Sequence, residues 1–105
     1  GKGTTESLKK MNENTFLSVF EGVPVFDVKM EILLKGVSVS DLVAEYSQVF
    51  TSKSELRRLV QGGGLSVNKE KIENPDMLIG KESLLNNKYL LVQKGKKNYY
   101  LIRVN

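Results

Sequence analysis

Ser52-Lys53-Ser54-Glu55-Leu56-Arg57-Arg58-Leu59-Val60-Gln61-Gly62-Gly63-Gly64-Leu65-Ser66-Val67 is the stretch whose reading decides the fold class. Ser52 and Glu55 stand in the S-x-x-E relation of a capping box, where a hydroxyl accepts from an amide that the first helical turn cannot pair. A helix therefore opens at Lys53 and runs to about Gln61, where consecutive glycines stop it. At about 100° per residue, Lys53, Arg57, Gln61, Ser54 and Arg58 share one arc, and Leu56, Leu59 and Val60 share the opposite one. One side must bury while the other meets water or a ligand. Leu65-Ser66-Val67 alternates as a short strand does, so the helix leads directly into a sheet.

Upstream, Ser38-Val39-Ser40-Asp41 is another cap-like start, and Val39, Leu42, Val43 and Tyr46 follow the i, i+3, i+4, i+7 spacing of an amphipathic helix. Downstream, Lys71-Ile72 is strand-like after the polar turn Asn68-Lys69-Glu70, and Asn74-Pro75-Asp76 is a loop. Tyr89–Gln93 and Tyr99–Val104 form a hairpin across Lys94-Gly95-Lys96-Lys97-Asn98. The fold class is α+β: two packed helices followed by a small, mainly antiparallel sheet, with short helices before them. In the leading third, Thr4-Thr5-Glu6-Ser7 reads as a helix start, and Thr15–Phe20 as a short helix ending at Gly22. Pro24 blocks continuation, and Asp27 caps a further helix through Leu34. Residues 1–36 are thus expected to be a helical connector that packs on a larger neighbour, and 37–105 the domain itself.

Composition narrows the chemistry. The 105 residues include neither cysteine nor histidine. Disulfides, thiolate chemistry, Ser-His-Asp arrangements and the usual zinc sites are excluded. Asp27 with Glu31, and Glu70 with Glu73, are paired carboxylates by spacing alone and read as surface charge. Catalytic residues and metal ligands are therefore expected to be none. The apolar runs are too short to span a membrane, so no membrane partner is expected, and the opening residues suggest no secretion.

The net charge of +4 is unevenly placed: residues 1–51 carry −2 and residues 52–105 carry +6. A basic half in so small a chain is the footprint of a polyanion partner, although lysine also serves plain solubility. Ser52, Lys53, Ser54, Arg57, Arg58 and Gln61 make one candidate surface for a phosphate-bearing polyanion, since the planar guanidinium fork suits phosphate oxygens. A solvated helix face, with Glu55 and Arg58 as a surface pair, is the plainer alternative. Lys94, Lys96, Lys97 and Asn98 make the second candidate surface, against the alternative of a solubilising turn. Tyr99 and Tyr100 point to opposite faces of their strand and are expected in the core. The glycine run lacks the frame of a phosphate-binding loop and is expected to be a helix stop.

Val39 to Ile72, with the Ser52–Gly63 segment and Leu65-Ser66-Val67-Asn68, resembles the RNA-binding motif shared with the small-subunit ribosomal protein S-four. Leu56 stands where that motif commonly has a small residue, and Lys69 where glycine is frequent. Lys94–Ile102 resembles the closing hairpin of bacterial tyrosyl-tRNA synthetases, and Thr15–Pro24 the stretch that joins their catalytic region to the C-terminal domain. Their catalytic signatures have no counterpart here, and Thr51-Ser52-Lys53-Ser54, which echoes one of them, belongs to the RNA-binding motif.

The resemblance implies a non-catalytic, cytoplasmic tRNA-binding domain. Its partners would be tyrosine-accepting tRNA and the catalytic domain of a homodimeric parent. That parent would use ATP and magnesium, and this segment would hold no cofactor. It further implies that the domain grips the anticodon stem and long variable arm. Two rivals remain open: an S-four-type RNA-binding domain of another enzyme, such as a pseudouridine synthase, or of a ribosome-rescue factor; and a basic protein-interaction domain.

Overall fold

A computed structural model of the chain describes residues 7–105. The proposed helix start at Thr4-Thr5-Glu6 lies outside the described residues. Its strands are β1 (Val25–Val28), β2 (Val37–Ser38), β3 (Leu65–Val67), β4 (Glu70–Lys71), β5 (Leu78–Ile79), β6 (Tyr89–Lys94) and β7 (Asn98–Val104). The main sheet has the order β1-β7-β6-β3-β4, and β2 pairs with β5 in a separate two-stranded sheet. Every pairing is antiparallel except that of β1 with β7. Among the described residues the helices include α1 (Glu13–Val19), α2 (Met30–Leu34) and α3 (Lys53–Gln61); residues 7–10 are also helical, Lys81–Ser83 form a 3-10 turn, and Asp41–Tyr46 a π-helical segment. The mixed α+β architecture with a mainly antiparallel sheet is the one expected.

The stop of α3 has a local cause. Gly64 N–H donates to the Leu59 carbonyl at 2.9 Å and Gly63 N–H to the Val60 carbonyl at 3.0 Å, the paired bonds of a Schellman motif. Gly63 supplies the left-handed φ of +73° that this motif requires. A Cβ on Gly64 would meet Leu59 Cδ1 at 2.5 Å, so a side chain there would displace the leucine. The glycine run is a helix stop.

The sheet buries both faces. On one, Leu90, Val92, Ile102 and Val104 pack against Leu42 and Val43 of the π-helix and Leu56 and Val60 of α3. On the other, Tyr89, Leu91 and Leu101 pack against Leu8, Phe16 and Leu85. The helix bearing Phe16 is capped by Asn12, whose Oδ1 accepts from Thr15 N–H at 2.8 Å. Asn12 is therefore the helix start, three residues ahead of the Thr15 read from the sequence. The Tyr89 hydroxyl donates to Glu13 Oε2 at 2.7 Å, which ties α1 to the sheet. Burial first, then the Glu13 carboxylate, push the Tyr89 phenol above its ordinary pKa.

Several local expectations are corrected. Asp27 caps no helix: it lies in β1, and α2 begins after Lys29. Its carboxylate accepts from Arg103 Nε at 2.7 Å and Nη2 at 3.1 Å, and from Asn105 Nδ2 at 3.1 Å. The strand at Val25–Val28 has no local signature because its partner, β7, lies at the other end of the chain. The Asp41–Tyr46 segment winds in the wider π form, with Ser47 N–H reaching the Leu42 carbonyl at 3.0 Å. It buries Leu42 and Val43 but leaves Tyr46 exposed. Tyr99 and Tyr100 are half-buried instead of fully in the core; Tyr99 packs on Phe20 and Tyr100 on Phe26.

The β3–β4 turn consists of Asn68 and Lys69, both left-handed at φ +53° and +69°. Lys69 therefore adopts the backbone that a glycine would take without strain. Asn68 is buried, accepting from Leu91 N–H at 2.9 Å and donating to the Ser83 carbonyl at 2.6 Å.

Candidate nucleic-acid interface

Helix α3 presents its polar arc because its apolar arc is held down. Leu56 is fully buried, Val60 nearly so, and Leu59 partly. Ser52 Oγ accepts from Glu55 N–H at 3.2 Å, which begins the helix where the capping box predicts it. Ser54, Arg57, Arg58 and Gln61 are exposed as a consequence. Among the described residues, neither guanidinium engages a hydrogen bond or ion pair, so both remain available. Two unpaired guanidiniums one residue apart on a rigid helix form a fixed pair of forks, suited to successive phosphates.

Lys53 is on the same arc but is not free. Its Nζ lies 2.8 Å from Asp41 Oδ1 and 3.2 Å from Glu45 Oε1. The hydrogen bond to Asp41, then that to Glu45, raise its pKa, while the Lys53 hydrogen bond lowers that of Asp41. The ion pair clamps the π-helical segment to the start of α3. To reach a phosphate, Lys53 must exchange carboxylates for it.

The hairpin residues divide into separate environments. Lys94 is not at the tip; it is the last residue of β6, and its side chain is 25% exposed. Its Nζ sits 4.5 Å from the Phe50 ring centre, 3.5 Å from the Val49 carbonyl and 3.4 Å from Glu55 Oε1. The Glu55–Arg58 surface pair of the plainer alternative is not formed; Glu55 pairs with Lys94 instead. Lys94, Ser52, Arg58, Glu55, Phe50, Thr51 and Leu59 line one groove between α3 and β6, about 530 Å³ in volume. Lys97 and Asn98 instead line a groove with Glu21–Pro24. Lys96 is exposed at the tip. The structure therefore brings Lys94 to the helix site and leaves Lys96, Lys97 and Asn98 apart from it.

In the sequence Lys69 stands out only as a departure at the turn, not as a binding candidate. Lys69 Nζ donates to the Tyr99 hydroxyl at 2.6 Å and lies 4.4 Å from the ring centre. Its position next to a turn asparagine could have marked it, but its tyrosine partner is thirty residues away. Among the described residues, no group of three or more His, Cys, Asp or Glu could hold a metal ion. No helix among them is long and apolar enough to cross a membrane.

Comparison with known proteins gives consistent matches. A family model described as the tyrosine–tRNA ligase SYY-like C-terminal domain matches residues 15–102. A tyrosine–tRNA ligase of Bacteroides thetaiotaomicron is 54% identical over 102 residues, 97% of this chain and 24% of that protein. One from Cytophaga hutchinsonii is 52% identical over 107 residues, covering 100% of this chain and 25% of its own length. One from Flavobacterium johnsoniae is 40% identical over 104 residues, 99% of this chain and 24% of that protein. The chain spans about a quarter of the length of these curated relatives.

Proposed function

The chain belongs to the tyrosine–tRNA ligase C-terminal domain family, and from that premise we propose that it grips tyrosine-accepting tRNA for a catalytic region outside these residues. The observation that carries the reading is the exposed face of α3, where Arg57 and Arg58 are unpaired beside Ser54 and Gln61 on a helix fixed by its buried arc. Ser52, Ser54, Arg57, Arg58 and Gln61 form the primary contact. Lys53 joins by releasing Asp41 and Glu45. Lys94 contributes from the groove, and Lys96, Lys97 and Asn98 meet a more distant part of the same RNA.

Phosphate contacts of this kind neutralise charge and set orientation without performing chemistry. Their catalytic value is positional: a tRNA held in register reaches a distant reaction centre with less entropy left to lose. The segment ahead of residue 37 leads toward that centre while also closing this domain, since Phe16 packs under the sheet and β1 pairs with β7. The reaction itself, tyrosine activation with ATP and magnesium and transfer to tRNA, belongs to the remainder of a cytoplasmic, homodimeric parent.

Fluorescence anisotropy of this chain with tyrosine tRNA and an unrelated tRNA, across a salt series, tests the proposal. Cognate preference is expected, with each neutralised phosphate adding up to about −0.9 to the log–log salt slope, by analogy with duplex DNA. Arg57→Ala and Arg58→Ala should each weaken binding by about 1–2 kcal/mol, the scale of a charge-assisted hydrogen bond. Equal affinity for both tRNAs, or an unchanged double variant, would remove α3 from a tRNA-recognition site.

A further inference from the structure

We propose that the groove between α3 and β6 seats an unpaired guanine base, read by Glu55 with Lys94 beside it. The inference rests on the tRNA-binding reading and deepens it, from phosphate gripping to the choice of a base. It begins with a carboxylate in the wrong place for its local role. Glu55 occupies the last position of the S-x-x-E box, and its amide donates to Ser52 Oγ at 3.2 Å. The return bond, from Ser52 N–H to the Glu55 carboxylate, would complete the box. It is absent among the described residues: Glu55 Oε1 is shielded from solvent with no hydrogen-bond partner, 3.4 Å from Lys94 Nζ.

A carboxylate among Ser52, Arg58 and Lys94 opposes phosphate binding, because it repels the same oxygens that its neighbours attract. What it can accept is an N–H. Base edges supply such donors, and an unstacked base presents its whole pairing edge to a protein. Guanine displays two adjacent N–H donors, at N1 and N2, followed by the O6 acceptor. Turned so that both oxygens face the groove, the Glu55 carboxylate, whose side chain is 45% exposed, offers two acceptors with the Lys94 ammonium as the donor beside them, which is the complement. Cytosine and adenine each offer one exocyclic amine beside an acceptor nitrogen, and uracil a single N3–H between two carbonyls, so none of them has two adjacent N–H donors.

The walls fit the same occupant. Leu59, half-buried, gives an apolar surface for the base plane. Phe50 does not serve as a stacking platform, since it is 1% exposed and Lys94 already covers its ring. Arg58 and Ser52 line the same groove and supply donors for the phosphates flanking the base. Phosphate gripping and base reading are thus divided between neighbouring side chains at the start of α3 and the end of β6.

The test uses this chain and an RNA hairpin whose loop is uridine except at one position, filled with guanine, inosine or adenine. Inosine keeps N1–H and O6 but lacks the 2-amino group. Guanine should bind more tightly than inosine by on the order of tenfold, the scale of a specific base contact. In Glu55→Gln that ratio should fall toward one, with thermal melting used to confirm that the variant is folded. Equal binding of guanine and inosine by the unmodified chain overturns the guanine assignment and leaves the tRNA-binding reading standing. A Glu55→Gln variant that weakens every loop by one factor, with the ratio intact, also overturns it and makes Glu55 an anchor for Lys94. Absence of binding to any loop at low salt overturns the guanine site, and tyrosine tRNA that also fails to bind overturns the tRNA-binding reading with it.

Discussion

Replacing Asn68 with alanine should cost the fold about 2.5–5 kcal/mol, with one orphaned amide as the leading contribution. In the native chain, Asn68 Oδ1 accepts from Leu91 N–H at 2.9 Å, and Leu91 is fully buried in the middle of β6. Alanine leaves that donor where water cannot reach it, a loss of about 1–3 kcal/mol. The Ser83 carbonyl, which Asn68 Nδ2 meets at 2.6 Å, is only half-buried and can turn to solvent, so its loss adds about 0.5–1 kcal/mol. The backbone adds a further ~1 kcal/mol, because φ at this position is +53° and alanine lacks the polar side chain that lets asparagine tolerate it.

Asn68→Gly separates these effects. It forfeits the same side-chain bonds but adopts the left-handed backbone freely, so it should be about 1 kcal/mol more stable than the alanine variant. Urea unfolding is the assay, read as a shift of midpoint at constant slope. An alanine variant within about 1 kcal/mol of wild type would refute the orphaned-amide reasoning. A glycine variant no better than alanine would refute the backbone part.

The neighbouring Lys69→Gly and Lys69→Ala both lose the Tyr99 contact, so their difference isolates the φ of +69°; glycine should be the more stable by about 1 kcal/mol in thermal melting. Lys94→Ala should lose about 1–2 kcal/mol through its contacts with the Phe50 ring and Glu55, whereas Lys96→Ala and Lys97→Ala, exposed at the tip, should stay within about 0.5 kcal/mol. Hydrogen bonds from Arg103, then Asn105, hold Asp27 below the usual carboxylate pKa. Its stabilisation is therefore complete above the unfolded value of about 4 and is lost as pH falls through the lower folded one. The stability gap between wild type and Asp27→Asn, measured by urea midpoints, should close across that acid window. A gap that persists well below it would contradict the pairing.

Elements whose determinants lie close together in the chain are legible in the amino-acid sequence alone. The cap at Ser52, the glycine stop of α3 and the β6–β7 hairpin each depend on residues within a few positions of one another. The basic arc of α3 follows from the same local periodicity, and Arg57 and Arg58 are exposed as that arc requires. The availability of its lysines does not follow. Lys53 is engaged by Asp41 and Glu45 from the preceding segment, and Lys94 is drawn over Phe50 by packing. Nothing in the charge pattern distinguishes those lysines from Lys96 or Lys97.

The sequence by itself determined the α+β class, the amphipathic α3 and the family resemblance, because periodicity, caps and turn residues act over one or two turns of chain. Only the tertiary structure decided that Val25–Val28 is a strand, that Tyr89 holds Glu13 and that Arg103 holds Asp27. The last two contacts join residues 76 positions apart. Such pairings depend on the whole core closing around both partners, and no local preference of either residue specifies them.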